Sequence, residues 1–448
     1  MSYASSKEWK FFGLTMWQQV VIALLLGVAV GVVAGEAATD IKVLGIVFIK
    51  LIKMVVAPLI FFALIAGITS LTDSQDIKGV AFKGTFAYLT TALFAVIFGL
   101  ALGSLFQPGV GVPKPPVAEA ATAVAALPPS VKDFLMGLIP SNIVSAMAND
   151  MYLQIVVFAI FTGVVMNNIR GNTTNIKKIN QEMAHVTFKM IEWIVRLAPL
   201  AVFGFISSMV GTTGMDVLYG LTELFFLVIG ACILQYLFFA VLISVFGRVS
   251  PVPFFRKMIP TQVMAFSTSS SKATLTTAMR ELQDKMGVSQ SSSNFMMPLG
   301  ACINMDGTAI YLGICATFFA QMYGIQLGMQ DYAMLMLTCT LGSIGAAGIP
   351  SGSILFMAMV LHSVGIPMEG IGIILGIDRI LDMFRTTVNI TGDAAITLIV
   401  DKSEGTLDQK IYEASLSELD AMSSSSATVS FEPEKNDVSE CEAMKRAA

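Results

Sequence analysis

Charge is what this chain has least of. Only 13% of its 448 residues are Asp, Glu, Lys or Arg, against roughly 25% in an ordinary globular chain. With 55% hydrophobic residues and a mean hydropathy of +0.75, that scarcity excludes a soluble enzyme, a nucleic-acid binder with a basic face and a disordered chain. Histidine is nearly missing. His185 and His362 are too few and too far apart for a metal cluster and read as packing residues. Cys232, Cys302, Cys315, Cys339 and Cys441 show no CxxC spacing and four lie in apolar stretches, so neither a disulfide framework nor a zinc site is expected. The chain is a polytopic membrane protein by composition.

The little charge there is sits unevenly. Residues 401–448 hold eleven Asp/Glu against five Lys/Arg, which more than accounts for the formal net charge of −4. This stretch, with its run Ser423 to Ser426, reads as a disordered acidic tail. What the rest has in abundance is long apolar runs. A membrane span needs about 20 such residues. The uncharged stretch Phe11–Gly35 predicts a first helix near 16–34, too long for a signal-peptide core and followed by further spans. Similar runs predict helices near 43–70, 80–106, 151–168, 184–211 and 218–247, and the Pro/Ala-rich segment Gln107–Ser130 predicts a surface loop. With the N-terminus inside, ten basic residues of the short connections, from Lys7 to Lys257, lie inside and only Lys42, Lys114 and Lys132 outside, so both termini are placed in the cytoplasm. Glu192 and Arg196, four apart in the fifth helix, read as an ion pair. Lys50 and Lys53 either snorkel or meet another helix.

The last third departs from this pattern. From Tyr332 to Met368 no residue is charged, too long for one span, and its middle, Gly342 to Ser353, is rich in helix breakers. A re-entrant hairpin fits: two half-helices whose irregular tip lines a cavity inside the protein. Residues 251–285 repeat the theme, with Pro251, Pro253 and Pro260 before the hydroxyl-rich centre Ser267–Ser271. Each hairpin is followed by an interrupted helix, Pro298–Ala320 broken at Asn304–Thr308, and Ile371–Val400 with Asp378, Asp382, Arg385, Asn389 and Asp393 on its polar face. One span separates the hairpins, so they enter from opposite sides. This is an inverted repeat, the arrangement of secondary transporters that bind at the midplane. Asp382, Arg385, Asn389 and Asp393 follow helical spacings of 3, 4 and 4. Ionisable groups in a membrane mark a substrate or ion path by default; the bland alternative is a structural Asp382–Arg385 pair. Asp306, in the break with Asn304 and Gly307, offers the hard oxygens a small cation prefers. Lys272 beside three serines invites a Ser–Lys dyad, but adjacent helical residues point apart, and the tip hydroxyls also suit helix capping.

These residues carry a family resemblance. Ser269-Ser270-Ser271-Lys272-Ala273-Thr274-Leu275, Asn304-Met305-Asp306-Gly307-Thr308-Ala309, Ala347-Gly348-Ile349-Pro350 and the stretch Asp382–Asp393 resemble the signatures of the dicarboxylate/amino acid:cation symporter family, which includes the glutamate/aspartate transporters. Lys50–Phe61 is similar to the family's second helix. The resemblance implies an all-α membrane protein of eight transmembrane helices plus two re-entrant helical hairpins, built as inverted repeats and working as an elevator-type homotrimer in the plasma membrane (the inner membrane of a bacterium). Residues 1–79 would hold scaffold helices 1 and 2, and 80–110 helix 3 of the transport domain. Residues 111–217 would hold an extracellular loop and scaffold helices 4 and 5. Residues 218–400 would be the rest of the transport domain, namely helix 6, hairpin 1, helix 7, hairpin 2 and helix 8.

By the same resemblance Arg385 would hold a substrate side-chain carboxylate, Asp382 the α-amino group and Asn389 the α-carboxylate. Ser270, Ser271, Thr308, Ser353 and the second hairpin tip near Ile349 would complete the pocket. One sodium site would use Asp393, Asn389, Asn304 and the Gly300 carbonyl; a second, backbone oxygens near Cys302, Ser343, Ile344 and Ala346; a third, Tyr88, Thr91, Asn304 and Asp306. Ala92 stands where many sodium-coupled relatives carry a hydroxyl, and Ser353 replaces a common glycine. No arginine occupies Ser269 or Met383, where one is found in many glutamate transporters, which leaves proton coupling open beside sodium. Arg385 points to an acidic substrate because relatives carrying neutral amino acids lack it. The function implied is therefore sodium-coupled import of aspartate or glutamate, with no organic cofactor and no catalysis. The alternative is a C4-dicarboxylate:cation symporter, whose substrate brings no amino group to Asp382. A remote one is an intramembrane aspartyl protease around Gly392-Asp393, for which the usual preceding glycine is Ile390. Closed tips and a compact site also argue against a channel.

Overall fold

The computed structural model describes residues 14–69, 78–113, 136–137, 139–169, 173–346 and 352–419. Its elements follow the apolar runs. Helix α1 is Met16–Ala34, begun by a capping box in which Thr15 and Gln18 serve each other's backbone. A short 3-10 segment, Gly35–Lys42, leads into α2, Val43–Thr69. Then come α3 (Lys78–Phe106), α4 (Tyr152–Asn168), α5 (Thr174–Val195), α6 (Ala198–Thr213) and α7 (Asp216–Leu242). The first hairpin is α8 (Pro251–Thr268) and α9 (Ser271–Arg280). It is followed by α10 (Gln290–Ile303) and α11 (Asp306–Tyr323). The second hairpin is α12 (Met329–Gly345) and α13 (Gly352–Ser363), and the chain continues with α14 (Ile371–Glu404) and the short α15 (Gln409–Glu413). The eight spans expected from sequence correspond to α1, α2, α3, α4, α5 with α6, α7, α10 with α11, and α14.

Three expectations need correcting. The fifth span, expected near 184–211, begins at Thr174 and bends by 47° between α5 and α6. Pro199, in the first turn of α6, explains the bend, since proline starts a helix well and cannot continue one. Arg196 caps α5 there and reaches Glu192 at 2.7 Å, as its spacing foretold; Lys189 joins the same carboxylate at 2.7 Å. Second, the span expected to be interrupted over Ile371–Val400 is one continuous helix of 34 residues. Its polar residues are answered by neighbouring helices, so the backbone has no reason to open. The break in the preceding span is real: Asn304 and Met305 leave helical geometry between α10 and α11, and α10 extends back to Gln290. Third, the expected disordered tail is ordered over 401–419, where α14 runs on to Glu404, Tyr412 is buried and α15 forms. Most of the loop Gln107–Ser130, Ala347–Ser351 and the tail from 420 lie outside the described residues.

The helices pack in two groups. In one, α1 lies along α6, and α2 lies against α4, α5 and α6. In the other, α14 runs through the middle, with α3, α7, α8, α10 and α11 around it, while α3 packs along α11 and the arms of the second hairpin pack on each other. The groups meet where α14 passes α1 and α6. Of the most apolar 18-residue window in Gln290–Tyr323, 94% is buried, against 33% in Asp216–Gly247. The broken span is thus enclosed by protein, the only setting in which open backbone survives at membrane depth.

Candidate substrate and cation site

The site is assembled on one face of α14. Asp378, Asp382, Arg385, Asn389 and Asp393 are all buried, and Arg385 has no exposed surface. Its guanidinium donates through Nη1 to Asp378 Oδ1 at 2.9 Å and through Nη2 to Asp382 Oδ1 at 3.0 Å, and it lies 3.9 Å from the centre of the Tyr311 ring. Arg379 reaches the other oxygen of Asp382 at 3.3 Å. Two arginines and two aspartates thus cancel in charge, which is how such groups stay ionised away from water. A planar fork of donors suits a carboxylate, and Arg385 Nε and Asp378 Oδ2 have no hydrogen-bond partner among the described residues.

The break beside this stripe is braced by it. The Gly307 N–H, freed at the start of α11, donates to Asn389 Oδ1 at 2.8 Å, and Asn389 Nδ2 donates to Met305 Sδ at 3.2 Å and Thr308 Oγ1 at 3.4 Å. Glycine is required at 307, since a Cβ there would stand 2.6 Å from the Arg385 carbonyl oxygen. One turn further along, Asn304 donates to Asp393 Oδ1 at 3.0 Å and accepts from Thr91 Oγ1 at 3.0 Å. The Tyr88 hydroxyl lies 3.1 Å from the Met296 carbonyl, 3.2 Å from the Asp393 carbonyl and 3.2 Å from the Thr397 hydroxyl. Asp393 rests against Gly300, where a Cβ would come within 2.7 Å of its carboxylate. Gln235, from α7, donates to Asp306 Oδ2 at 3.2 Å. Asp306 Oδ1 and Asp393 Oδ2, both buried, have no hydrogen-bond partner among the described residues. Each of these carboxylate oxygens is a hard donor of the kind a small cation takes.

The hairpins contribute their tips. Ser269 closes α8 in the left-handed region with φ 50°, and Ser270 caps α9, its Oγ accepting from the Ala273 N–H at 3.3 Å. Ser271 is buried, while the buried hydroxyls of Ser269 and Ser353 have no hydrogen-bond partner among the described residues. Phe266, just before the tip, meets Phe384, the neighbour of Arg385, edge-on at 5.1 Å. Cys302 and Ile344 pack on one small apolar cluster with Tyr88. Ser343 is buried beside them in sequence with its hydroxyl on the Thr340 carbonyl, and Ala346 is buried too. Ile349 lies outside the described residues.

The expected arginine, aspartate and asparagine stripe is therefore brought together, as are Tyr88, Thr91, Gly300, Asn304 and Asp393. Lys272 turns away from the serines, its Nζ over the Phe188 ring at 4.9 Å. Sequence reasoning gave no role to Asp378 and passed over Arg379, Tyr311 and Gln235. Asp378 is two helical turns before Arg385 and Arg379 one turn before Asp382, so periodicity carried a signal for both. Tyr311 and Gln235 come from other helices and left none.

The chain is similar to known transport proteins. A profile described as the sodium:dicarboxylate symporter family matches residues 16–403. A C4-dicarboxylate transport protein of Rhodospirillum rubrum is 32% identical over 409 residues, 89% of this chain and 90% of the relative. One from Rhizobium johnstonii is 32% identical over 423 residues, 92% of this chain and 94% of the relative. C4-dicarboxylate transport protein 1 of Mesorhizobium japonicum is 32% identical over 406 residues, 88% and 84% respectively. The chain belongs to the sodium:dicarboxylate symporter family, as a multi-pass membrane transporter and not an enzyme.

Proposed function

We propose that the chain is a secondary active symporter that carries a C4-dicarboxylate into the cell together with cations. The observation that carries this reading is Arg385, fully buried and forked between Asp378 and Asp382. A substrate carboxylate takes over part of that fork as it enters. The charge balance then calls for coupling. Arg385, Arg379, Asp378 and Asp382 sum to zero charge, so a doubly negative substrate leaves an excess that buried protein does not tolerate alone. Sodium ions at the open oxygens of Asp306 and Asp393 offset it. Protons on the same carboxylates are the other means of doing so. The relatives' naming as C4-dicarboxylate transport proteins supports the substrate class.

Asp382 favours a second reading, an acidic amino acid such as aspartate or glutamate. Once Arg385 engages the substrate, Asp382 gives up its 3.0 Å contact with that guanidinium, and an α-ammonium group would replace what it lost. Uptake of radiolabelled succinate, aspartate and glutamate into proteoliposomes, under a sodium or a proton gradient, decides. Succinate accumulation driven by sodium is expected; failure to accumulate any of the three under either gradient overturns the assignment. In this reading the group around α1, α2 and α4–α6 is a static, trimer-forming scaffold, and the group around α14 is the moving elevator. The excess of basic residues on one side supports a cytoplasmic location for both termini.

A further inference from the structure

The chain does not leave the molecule after α14. Residues 405–413 turn back across the base of the first hairpin. Asp401, fully buried, anchors the turn by accepting from the Ser289 N–H at 3.2 Å, Ser289 Oγ at 2.6 Å and Thr406 Oγ1. The Asp408 N–H donates to the Gly287 carbonyl at 2.9 Å, and the Asp408 side chain caps α15 through the N–H groups of Lys410 and Ile411. Tyr412, with no exposed surface, donates its hydroxyl to the Ser250 carbonyl at 2.6 Å, where the first arm begins.

The centre of this arrangement is Lys257 on α8, only 3% exposed. Its ammonium donates to three main-chain carbonyls: Lys285 at 2.8 Å, Ile411 at 2.9 Å and Tyr412 at 2.7 Å. All three of its protons are used, none on a carboxylate. A buried lysine is expensive unless such bonds are complete, so these contacts are a built feature. Gly287 adds to this. Its φ is 68°, and a Cβ there would stand 2.5 Å from the Asp408 carbonyl oxygen, so only glycine lets the segment lie this close.

One short segment thus joins the start of the first arm, the end of the second and the end of α14. We propose that residues 405–413 are a strap, pinned by Lys257, that clamps both arms of the first hairpin to α14 and so holds the Ser269–Ser271 tip in place at the site. Lys257 is a positioning residue: it touches no substrate and acts through the backbone it gathers. The strap makes the hairpin move with α14 as one body.

The test is amide hydrogen exchange on the full-length protein, which needs no knowledge of the substrate and so fails separately from the proposed function. Lys257→Met keeps the stem and removes the donors. It is expected to speed exchange in 405–413 and across the tip, 266–273, by about tenfold or more, with α2 and α6 unchanged. The substrate concentration for half-maximal uptake rises in parallel, with the maximal rate retained. Fast exchange confined to 405–413, with the tip as slow as before, makes the strap a passenger and overturns the proposal, as does acceleration spread evenly over all helices. If Lys257→Met does not fold, Tyr412→Phe, which removes only the bond to Ser250, carries the same comparison with a smaller acceleration.

Discussion

At the scale of single residues, Arg385 has two duties that mutation can separate. It receives the substrate carboxylate in the proposed function, and it neutralises Asp378, buried with 1% exposure. Arg385→Cys is expected to abolish dicarboxylate uptake and to destabilise the protein by about 3–5 kcal/mol, because a buried carboxylate loses its partner. Adding Asp378→Asn restores much of the thermal stability and none of the uptake. A single variant that still accumulates succinate refutes the role. Asp382→Asn distinguishes the two substrate readings: succinate uptake survives it, whereas an amino acid substrate loses the partner of its ammonium. Asp393→Asn removes the charge whose Oδ2 is unpartnered. It is expected to raise the sodium concentration for half-maximal uptake by about tenfold or more, as befits a lost charged ligand; an unchanged sodium dependence removes Asp393 from the cation site. The stripe itself was legible because 3 and 4 spacings put residues on one face. What Arg385 touches on α11 was not, because Tyr311 lies 74 positions away in the chain and contacts at such range leave no local pattern.

At the scale of elements, apolar runs and breakers told most of the story. The first span was expected near 16–34 and is Met16–Ala34; the first hairpin turns at its serines. The break wrongly expected in Ile371–Val400 has a clear source. A polar residue inside a span signals either a break or a partner on another helix, and sequence does not separate the two. At Asn304–Met305 the answer is a break; at Asp382–Asp393 it is a partner. The break is held open by a close approach, which gives a prediction. Gly307→Ala places a methyl 2.6 Å from the Arg385 carbonyl oxygen, backbone that has no room to yield. A loss of about 1–3 kcal/mol is expected, together with weaker substrate binding, since α11 is pushed off α14. Thermal unfolding and uptake with Gly307→Ala check both, and native values for the pair of measurements refute the tight fit.

At the scale of the whole molecule, the elevator of the proposed function would slide one helix group past the other. The Lys272 ammonium over the Phe188 ring, at 4.9 Å, ties the tip of the first hairpin to α5, across the boundary between the groups. Such a contact is worth about 0.5–1 kcal/mol at an exposed position, small enough to be broken in each cycle. The ion pair of Lys83 with Glu404, 2.8 Å long, ties α3 to α14 within one group and has no reason to break. Paired cysteines at these positions, in a background freed of the native cysteines and joined by a short bifunctional thiol reagent, therefore behave oppositely. Joining 272 to 188 is expected to arrest uptake until the link is cleaved. Joining 83 to 404 leaves uptake near its starting rate, although both links fasten helices that touch. If both links arrest uptake, or neither does, the division into a static scaffold and a moving group is in the wrong place. The difference between the two links is a measure of movement that no single substitution supplies, because each tests a boundary and not a side chain.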